Sequence, residues 1–243
     1  MKHFDRPFRI IFCWDIDRFI SHDGTVPLLP MNADAEAPQK TNFTTSDNVV
    51  LESEYIIPSS CSAIAVLSHP HPLYGGDMRN IVIQDLFNRL PEASIAALRY
   101  NFRGVQNSAG SHGDGETEVF DSQGAFRFAS ALGQGKPVIS VGYSFGADVS
   151  MTADDPTLAG WVGIAAPLAL LAPQEMSAGA DTRPTKLLVP ENDQFRSVAE
   201  AREICTNWKK TSIEAISGAD HFFSTGTKTL SERVADFVVT FFQ

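Results

Sequence analysis

Cysteine is scarce in this sequence, and its three residues, Cys13, Cys61 and Cys205, lack the spacing of a metal site. An odd number also argues against a disulfide framework, so we expect reduced thiols in a cytoplasmic protein. None of the three is placed as a nucleophile would be. We therefore look elsewhere for the chemistry, and we expect neither a metal nor a cofactor.

Positive charge is also in short supply, because 19 Lys and Arg face 29 Asp and Glu, which gives a formal net charge of −10. Such a surface repels phosphate backbones and anionic lipids, which excludes nucleic acid and the membrane as expected partners. Long apolar runs are missing as well. The apolar residues 10–14 end at Asp15 and Asp17, too soon for a signal peptide or a membrane span.

The first 42 residues lack sustained periodicity, and residues 32–42 are polar, as a linker would be. We interpret residues 1–42 as an N-terminal extension or linker and residues 43–243 as one domain. A chain of 243 residues with 43% hydrophobic content can bury one sizeable core. We see no internal repeat.

Apolar β-like runs alternate with helical patterns through this domain, which predicts an α/β fold with a mostly parallel, doubly wound sheet. Residues 49–57 partly alternate and predict an antiparallel hairpin at a sheet edge. Only about twenty residues separate the strands that end near Ala166 and begin near Lys186, so no separate cap domain is expected. The predicted strands are 63–68, 94–98, 137–141, 161–165, 186–190 and 212–216, and the predicted helices are 81–90, 117–132, 198–208 and a last one through 230–241.

The stretch PVISVGYSFGADV carries the pattern G-x-S-x-G in Gly142, Ser144 and Gly146. A buried strand that turns directly into a helix here is typical of a nucleophile elbow, whose strained turn lifts a serine hydroxyl above the sheet. The alternative is a serine in a tight strand-to-helix turn that performs no chemistry.

A serine nucleophile needs a base, and the base needs an acid on its far side. Of the six histidines, only His221 follows the last predicted strand, and Asp193 lies just past the strand 186–190. Glu191 is the competing acid, whereas Asp220 adjoins His221 and should point elsewhere. The order Ser144, Asp193, His221 is that of the α/β-hydrolases.

The transition state also needs hydrogen-bond donors for the oxyanion. One is expected from the backbone N–H of Phe145, directly after the nucleophile. The second should come from the loop HPHPLYGGDMRN after the strand 63–68. Its two nearby prolines have no N–H, which leaves His71, Leu73 and Tyr74, and we favour His71.

Two other readings stay open. His69 and His71 form an H-x-H pair at a strand end, which in a metal-dependent hydrolase would hold a metal with ligands such as His112, Asp114 or Asp77. A non-catalytic binding protein could also use the same fold. Arg99 and Arg103 flank a glycine-rich loop that matches no phosphate-binding motif, and they predict either structural ion pairs or recognition of a substrate carboxylate.

Four ordered motifs, HPHPLYGGDMRN, RYNFRGVQNSAG, GYSFGA and GADHFF, resemble those of small bacterial α/β-hydrolases related to dienelactone hydrolases and serine esterases. The resemblance covers the chain from about Phe43 and implies the roles of nucleophile, acid and base for Ser144, Asp193 and His221. It implies a cofactor-free hydrolase of a small ester, thioester or lactone. Gln106 departs from the resembling pattern, which usually has glycine there.

Overall fold

The computed structural model describes residues 37–242, and an eight-stranded sheet runs through this part of the chain. In sheet order the strands are β1 (Gln39–Thr44), β2 (Val50–Ile56), β4 (Ile95–Tyr100), β3 (Ala63–Ser68), β5 (Val138–Tyr143), β6 (Leu158–Ile164), β7 (Thr185–Asn192) and β8 (Thr211–Asp220). Strands β1 and β2 pair antiparallel, as do β2 and β4, and every other neighbouring pair is parallel. The α/β-hydrolase fold class is thereby confirmed.

Helices cover both faces of the sheet. The helices are α1 (Ile81–Arg89), α2 (Glu118–Gly133), α3 (Phe145–Thr152), α4 (Ser177–Ala180), α5 (Val198–Ile204) and α6 (Thr227–Phe242). On one face α1 and α6 bury apolar stripes, which include Val82 and Leu86 of α1 and Val234 of α6. On the other face α2, α3, α4 and α5 contribute to a second core.

The central strands β3, β4 and β5 are buried at every residue, as strands covered on both faces must be. Side chains still alternate between the two cores. Along β3, Ile64 and Val66 pack in one core, whereas Ala65 and Leu67 pack in the other. This alternation explains why the central strands read as unbroken apolar runs in the sequence.

The hairpin predicted at a sheet edge is formed by β1 and β2. The first strand begins at Gln39, four residues before Phe43, where the sequence places the start of the domain. Most of its residues are exposed and are held by backbone pairing with β2, so they carry no apolar pattern. The rest of the predicted extension, residues 1–36, lies outside the described residues.

The connection from β6 to β7 spans residues 165–184 and holds a single 3₁₀ turn, Pro173–Glu175, and the four-residue α4. The prediction that no separate cap domain exists is confirmed for the described residues. Within residues 37–242, no helix is both long and apolar enough to cross a membrane.

Candidate active site

Ser144 lies at the corner between β5 and α3 in a backbone conformation that most residues avoid, with φ +53° and ψ −120°. Its N–H donates to the carbonyl of Ile164 on β6 at 2.9 Å. A Cβ on Gly142 would lie 2.3 Å from the Gly146 carbonyl oxygen, and one on Gly146 would lie 2.4 Å from that of Ser68. Both glycines are therefore required for the turn to form.

The carboxyl ends of β5, β7 and β8 bring Ser144, Asp193 and His221 together. Ser144 Oγ lies 3.0 Å from His221 Nε2, and His221 Nδ1 lies 3.0 and 3.1 Å from the two carboxylate oxygens of Asp193. The carboxylate can only accept, so Nδ1 carries the proton and Nε2 is left to receive one from the serine. The Asp193 side chain is fully buried and His221 is 5% exposed.

The two other acids near this edge are used elsewhere. Glu191 is exposed, and its carboxylate accepts hydrogen bonds from the Ser217 hydroxyl and the Gly218 N–H. Asp220 accepts from the N–H and hydroxyl of Ser224. Of the acids considered from the sequence, only Asp193 contacts the His221 ring.

The backbone of His221 is held at both of its polar groups. The Tyr143 hydroxyl donates to the His221 carbonyl at 2.8 Å, and the His221 N–H donates to Gln194 Oε1 at 3.2 Å. Burial, together with the charges of Asp193 and Asp220, raises the pKa of Tyr143, so its hydroxyl stays protonated as a donor. Tyr143 had no assigned role in the sequence interpretation.

Phe145 and His71 are the two residues whose backbone N–H groups the sequence assigns to an oxyanion site. Phe145 is the first residue of α3, where N–H groups have no partner within the helix. Leu73 N–H donates to His71 Nδ1 at 3.3 Å and Tyr74 N–H donates to the His71 carbonyl at 3.1 Å, whereas His71 N–H has no partner among the described residues. The His71 and Phe145 rings lie 4.7 Å apart.

His69 is built into the protein rather than turned toward a ligand. Its Nδ1 donates to the Pro70 carbonyl at 2.7 Å, its Nε2 accepts from the Phe102 N–H at 3.1 Å, and the residue is fully buried. Burial lowers its pKa to about 4. A metal held by His69 and His71 would have to break one of these bonds, and residues 37–242 contain no group of three ligands placed to hold a metal.

Asp77, a further metal candidate, is also engaged in hydrogen bonds. Asp77 accepts hydrogen bonds from the Arg79 N–H at 2.7 Å and from Gln106 Nε2 at 3.2 Å.

Gln106 has φ +50°, a left-handed conformation that glycine adopts without strain. The residue that departs from the resembling pattern therefore keeps the backbone that glycine would take there.

Glu118, at the start of α2, organises the glycine-rich loop and was not singled out in the sequence. Its fully buried carboxylate accepts from the N–H groups of Gly113 at 2.8 Å and Gly115 at 3.0 Å. It also lies 2.8 Å from His112 Nδ1, and the His112 ring packs 5.5 Å from that of Phe145. The loop is thus fixed against the residue that follows the serine.

Arg99 and Arg103 form structural ion pairs, the first of the two alternatives left open by the sequence. Arg99 contacts Glu54 at 2.5 Å. Arg103 contacts Asp121 at 2.7 Å and Asp47 at 2.9 Å. Both arginine side chains are almost fully buried, which leaves neither for a substrate carboxylate.

Asp148 on α3 holds the connection after β6, as Glu118 holds the glycine-rich loop. Its carboxylate accepts hydrogen bonds from three successive backbone N–H groups, those of residues 168–170, at 3.0, 3.1 and 3.1 Å. Burial raises its pKa to about 6, although these bonds favour the charged form. Arg196 adds a hydrogen bond of 2.8 Å to the Pro167 carbonyl. The connection is therefore tied at its start to α3 and to the loop after Asp193.

No protein-family model matches the chain. An uncharacterized protein, RP471, of Rickettsia prowazekii (strain Madrid E) is 30% identical to it, with 78% of this chain and 84% of that protein covered. A solved α/β serine hydrolase homologue from Coxiella burnetii superposes with a TM-score of 0.73 at 25% identity, covering 82% of this chain and 97% of that one. The structure of XC6422 from Xanthomonas campestris, described as an α/β serine hydrolase without lid, superposes with a TM-score of 0.72 at 21% identity and covers 87% and 96%.

Proposed function

We propose that this chain, which belongs to the α/β-hydrolase superfamily and to the same family as the rickettsial protein RP471, cleaves a carboxylic ester, thioester or lactone through an acyl-enzyme on Ser144. The observation that carries the proposal is the continuous hydrogen-bonded chain from Ser144 through His221 to Asp193, with 3.0 Å at the serine and 3.0 Å at the acid. A strained serine at hydrogen-bonding distance from an oriented base is the arrangement that activates a serine nucleophile.

In the acylation half, His221 Nε2 takes the proton from Ser144 Oγ as the oxygen attacks the substrate carbonyl carbon. Asp193 accepts from Nδ1–H and stabilises the imidazolium that forms. The oxyanion of the tetrahedral intermediate receives hydrogen bonds from the Phe145 and His71 backbone N–H groups. When the bond to the leaving group breaks, His221 returns the proton to the departing alkoxide or thiolate.

In the deacylation half, a water molecule takes the place of the leaving group. His221 removes its proton while the water oxygen attacks the ester carbonyl on Ser144, and the same two N–H groups bind the second oxyanion. Collapse of this intermediate breaks the bond to Oγ, and His221 delivers the proton to the serine. The carboxylic acid product leaves and Ser144 is regenerated.

A fluorophosphonate probe tests the nucleophile directly, with intact-mass measurement as the readout. We expect one adduct on the wild type and on Ser217→Ala, whose serine is exposed and bonded to Glu191, and none on Ser144→Ala. Labelling and ester hydrolysis should both survive dialysis against a strong chelator. Unchanged labelling of Ser144→Ala would refute the nucleophile, and activity lost to the chelator and restored by zinc would favour metal-dependent hydrolysis.

A further inference from the structure

Exposed apolar side chains are concentrated around the proposed site. Ten large apolar residues are exposed among residues 37–242, and five of them lie on the loops that follow β3, β6, β7 and β8. Single exposed apolar residues are ordinary on a protein surface, whereas a cluster at one edge indicates binding. We call these five the apolar rim: Leu73, Tyr74, Leu170, Phe195 and Phe222, between 43% and 88% exposed.

One side of the rim touches the residue that handles the proton. The Phe195 ring lies 4.4 Å from the His221 ring, edge to face, and the Phe222 ring lies 5.3 Å from it. The two phenylalanines are 6.3 Å apart, so they form a continuous aromatic surface beside the imidazole. An apolar group attached to the reacting carbonyl or to the leaving atom would meet this surface.

The other side of the rim adjoins the proposed oxyanion donors. Tyr74 packs 5.0 Å from the His71 ring, which packs in turn 4.7 Å from Phe145. Leu73 stands next to it and is 69% exposed, and Tyr74 is 88% exposed. Side chains so exposed add little to folding through burial, and the same apolar area stabilises a ligand that covers it.

Exposed carboxylates lie beside the site. Asp114 and Glu116 are on the loop after β4, where the 93% exposed Asp114 side chain lies 3.4 Å from His112 Nε2, and Glu191 is exposed near the end of β7. Two basic side chains on the loops after β3 and β7 are paired with acids, Arg79 with Glu54 at 2.7 Å and Arg196 with Glu200 at 3.8 Å. The whole chain carries a formal net charge of −10, so the protein opposes the approach of an anionic substrate.

We infer that the substrate is an uncharged ester or thioester with apolar groups on both sides of the reacting carbonyl, which lie against the apolar rim. The inference rests on the proposed function and narrows its substrate class. Acyl groups carried on a polyphosphate-bearing thiol are excluded as good substrates, although the thioester bond itself is not. Because the rim lies at the surface, each added methylene raises kcat/KM only for the first few carbons of the apolar group.

The first test compares p-nitrophenyl hexanoate with p-nitrophenyl acetate on the full-length protein. We expect kcat/KM to be about tenfold higher for the hexanoate, because a methylene against an apolar surface adds up to about fourfold. Phe195→Ala with Phe222→Ala, or Leu73→Ala with Tyr74→Ala, should reduce this ratio to about threefold or less. Phe241→Ala, which removes an equally bulky exposed ring from α6, should keep it.

The second test isolates charge by comparing S-butyryl-N-acetylcysteamine with butyryl-coenzyme A, which share the thioester and differ in their phosphates. At low ionic strength we expect kcat/KM to be at least about tenfold higher for the neutral thioester. In 0.5 M salt the difference in kcat/KM should become smaller, because the salt screens the repulsion between the acidic side chains and the phosphates.

Three results would overturn the inference: a wild-type acyl-length ratio kept by both double variants, a preference for the coenzyme A thioester, or activity that appears only with micellar ester, which would mark the rim as a lipid contact. Fluorophosphonate labelling that persists in those cases would leave the proposed function standing, whereas absent labelling would remove both.

Discussion

His69 and His221 are both buried and both use each ring nitrogen, yet the two regions around them put the imidazole to different ends. At the loop after β3, His69 bonds only to backbone, the Pro70 carbonyl and the Phe102 N–H. At the loop after β8, His221 bonds to two side chains, those of Ser144 and Asp193.

The difference lies in what the partners can do with a proton. A backbone amide neither gives up nor receives one at neutral pH, so His69 joins the β3 and β4 loops as a fixed neutral connector. In the proposed mechanism the serine hydroxyl gives its proton to the His221 ring, and the carboxylate stabilises the imidazolium without taking a proton itself. Burial and hydrogen bonding alone therefore do not mark a catalytic histidine. The chemistry of its partners does.

The largest effect on the difference between the two histidines is expected from replacing Asp193, the acid that contacts His221. Asp193→Asn keeps the shape but replaces an acceptor pair by an amide, which favours the wrong tautomer of His221, and we expect kcat to fall about 10³ to 10⁴-fold. The matched control is Glu191→Gln, two residues away and bonded to Ser217 and Gly218, which should stay within about twofold of wild type.

Both variants are compared on p-nitrophenyl butyrate, with circular dichroism to verify the fold. A smaller loss for Asp193→Asn than for Glu191→Gln would move the acid to Glu191.

Lowering the pH should show the role of His69 in the free energy of unfolding, whereas its role is not in catalysis. Its pKa of about 4 in the folded protein lies below the ordinary value of 6.5, so between these values the unfolded chain binds a proton that the folded chain does not. The contribution of His69 to the free energy of unfolding is therefore fully present above pH 6.5. It falls by about 3 kcal/mol as the pH drops from 6.5 through 4.

Asp148, whose pKa burial raises to about 6, acts in the opposite direction, so total stability would blur the effect. The measurement is therefore an NMR titration of the His69 ring, which should remain neutral at pH 5. A His69 midpoint near 6.5 would contradict the connector role.

The smallest effect is expected from a residue that acts on His221 through its backbone. Tyr143→Phe removes the hydroxyl that donates to the His221 carbonyl, and we expect kcat to fall about tenfold with KM unchanged, because the ring loses part of its positioning. Tyr100→Phe is the control, since its buried hydroxyl bonds to Ser68 and Ser122 instead.

Both substitutions should lower the free energy of unfolding by about 1 kcal/mol. An unchanged kcat in Tyr143→Phe, or an equal loss in Tyr100→Phe, would show that the tyrosine serves stability alone.

Much of this arrangement could be predicted because it depends on local patterns. Parallel strands buried on both faces read as apolar runs, and residues that follow them must meet at one edge of the sheet. The glycines at 142 and 146 indicate a close approach of backbone. In the structure, Gly142 lies against the carbonyl of Gly146, and Gly146 lies against that of Ser68.

The rest depends on bonds that leave no periodic signal. Glu118 and Asp148 are carboxylates buried against backbone N–H groups of a loop, and in the sequence each looks like an ordinary acid on an amphipathic helix. The start of β1 at Gln39 rests on backbone pairing at an exposed edge, where side-chain hydrophobicity says nothing. An acid in the first turn of a helix that follows a glycine-rich loop, as Glu118 is, would have been the one available hint.

The three bonds from residues 168–170 to Asp148 also bear on the timing of catalysis. A loop can gate an enzyme only if it swings at a small cost, and opening this one would strip a buried carboxylate of all three backbone donors. The connection between β6 and β7 is therefore fixed and does not act as a gate. In the proposed reaction, the approach of the ester to Ser144 needs no opening of this connection.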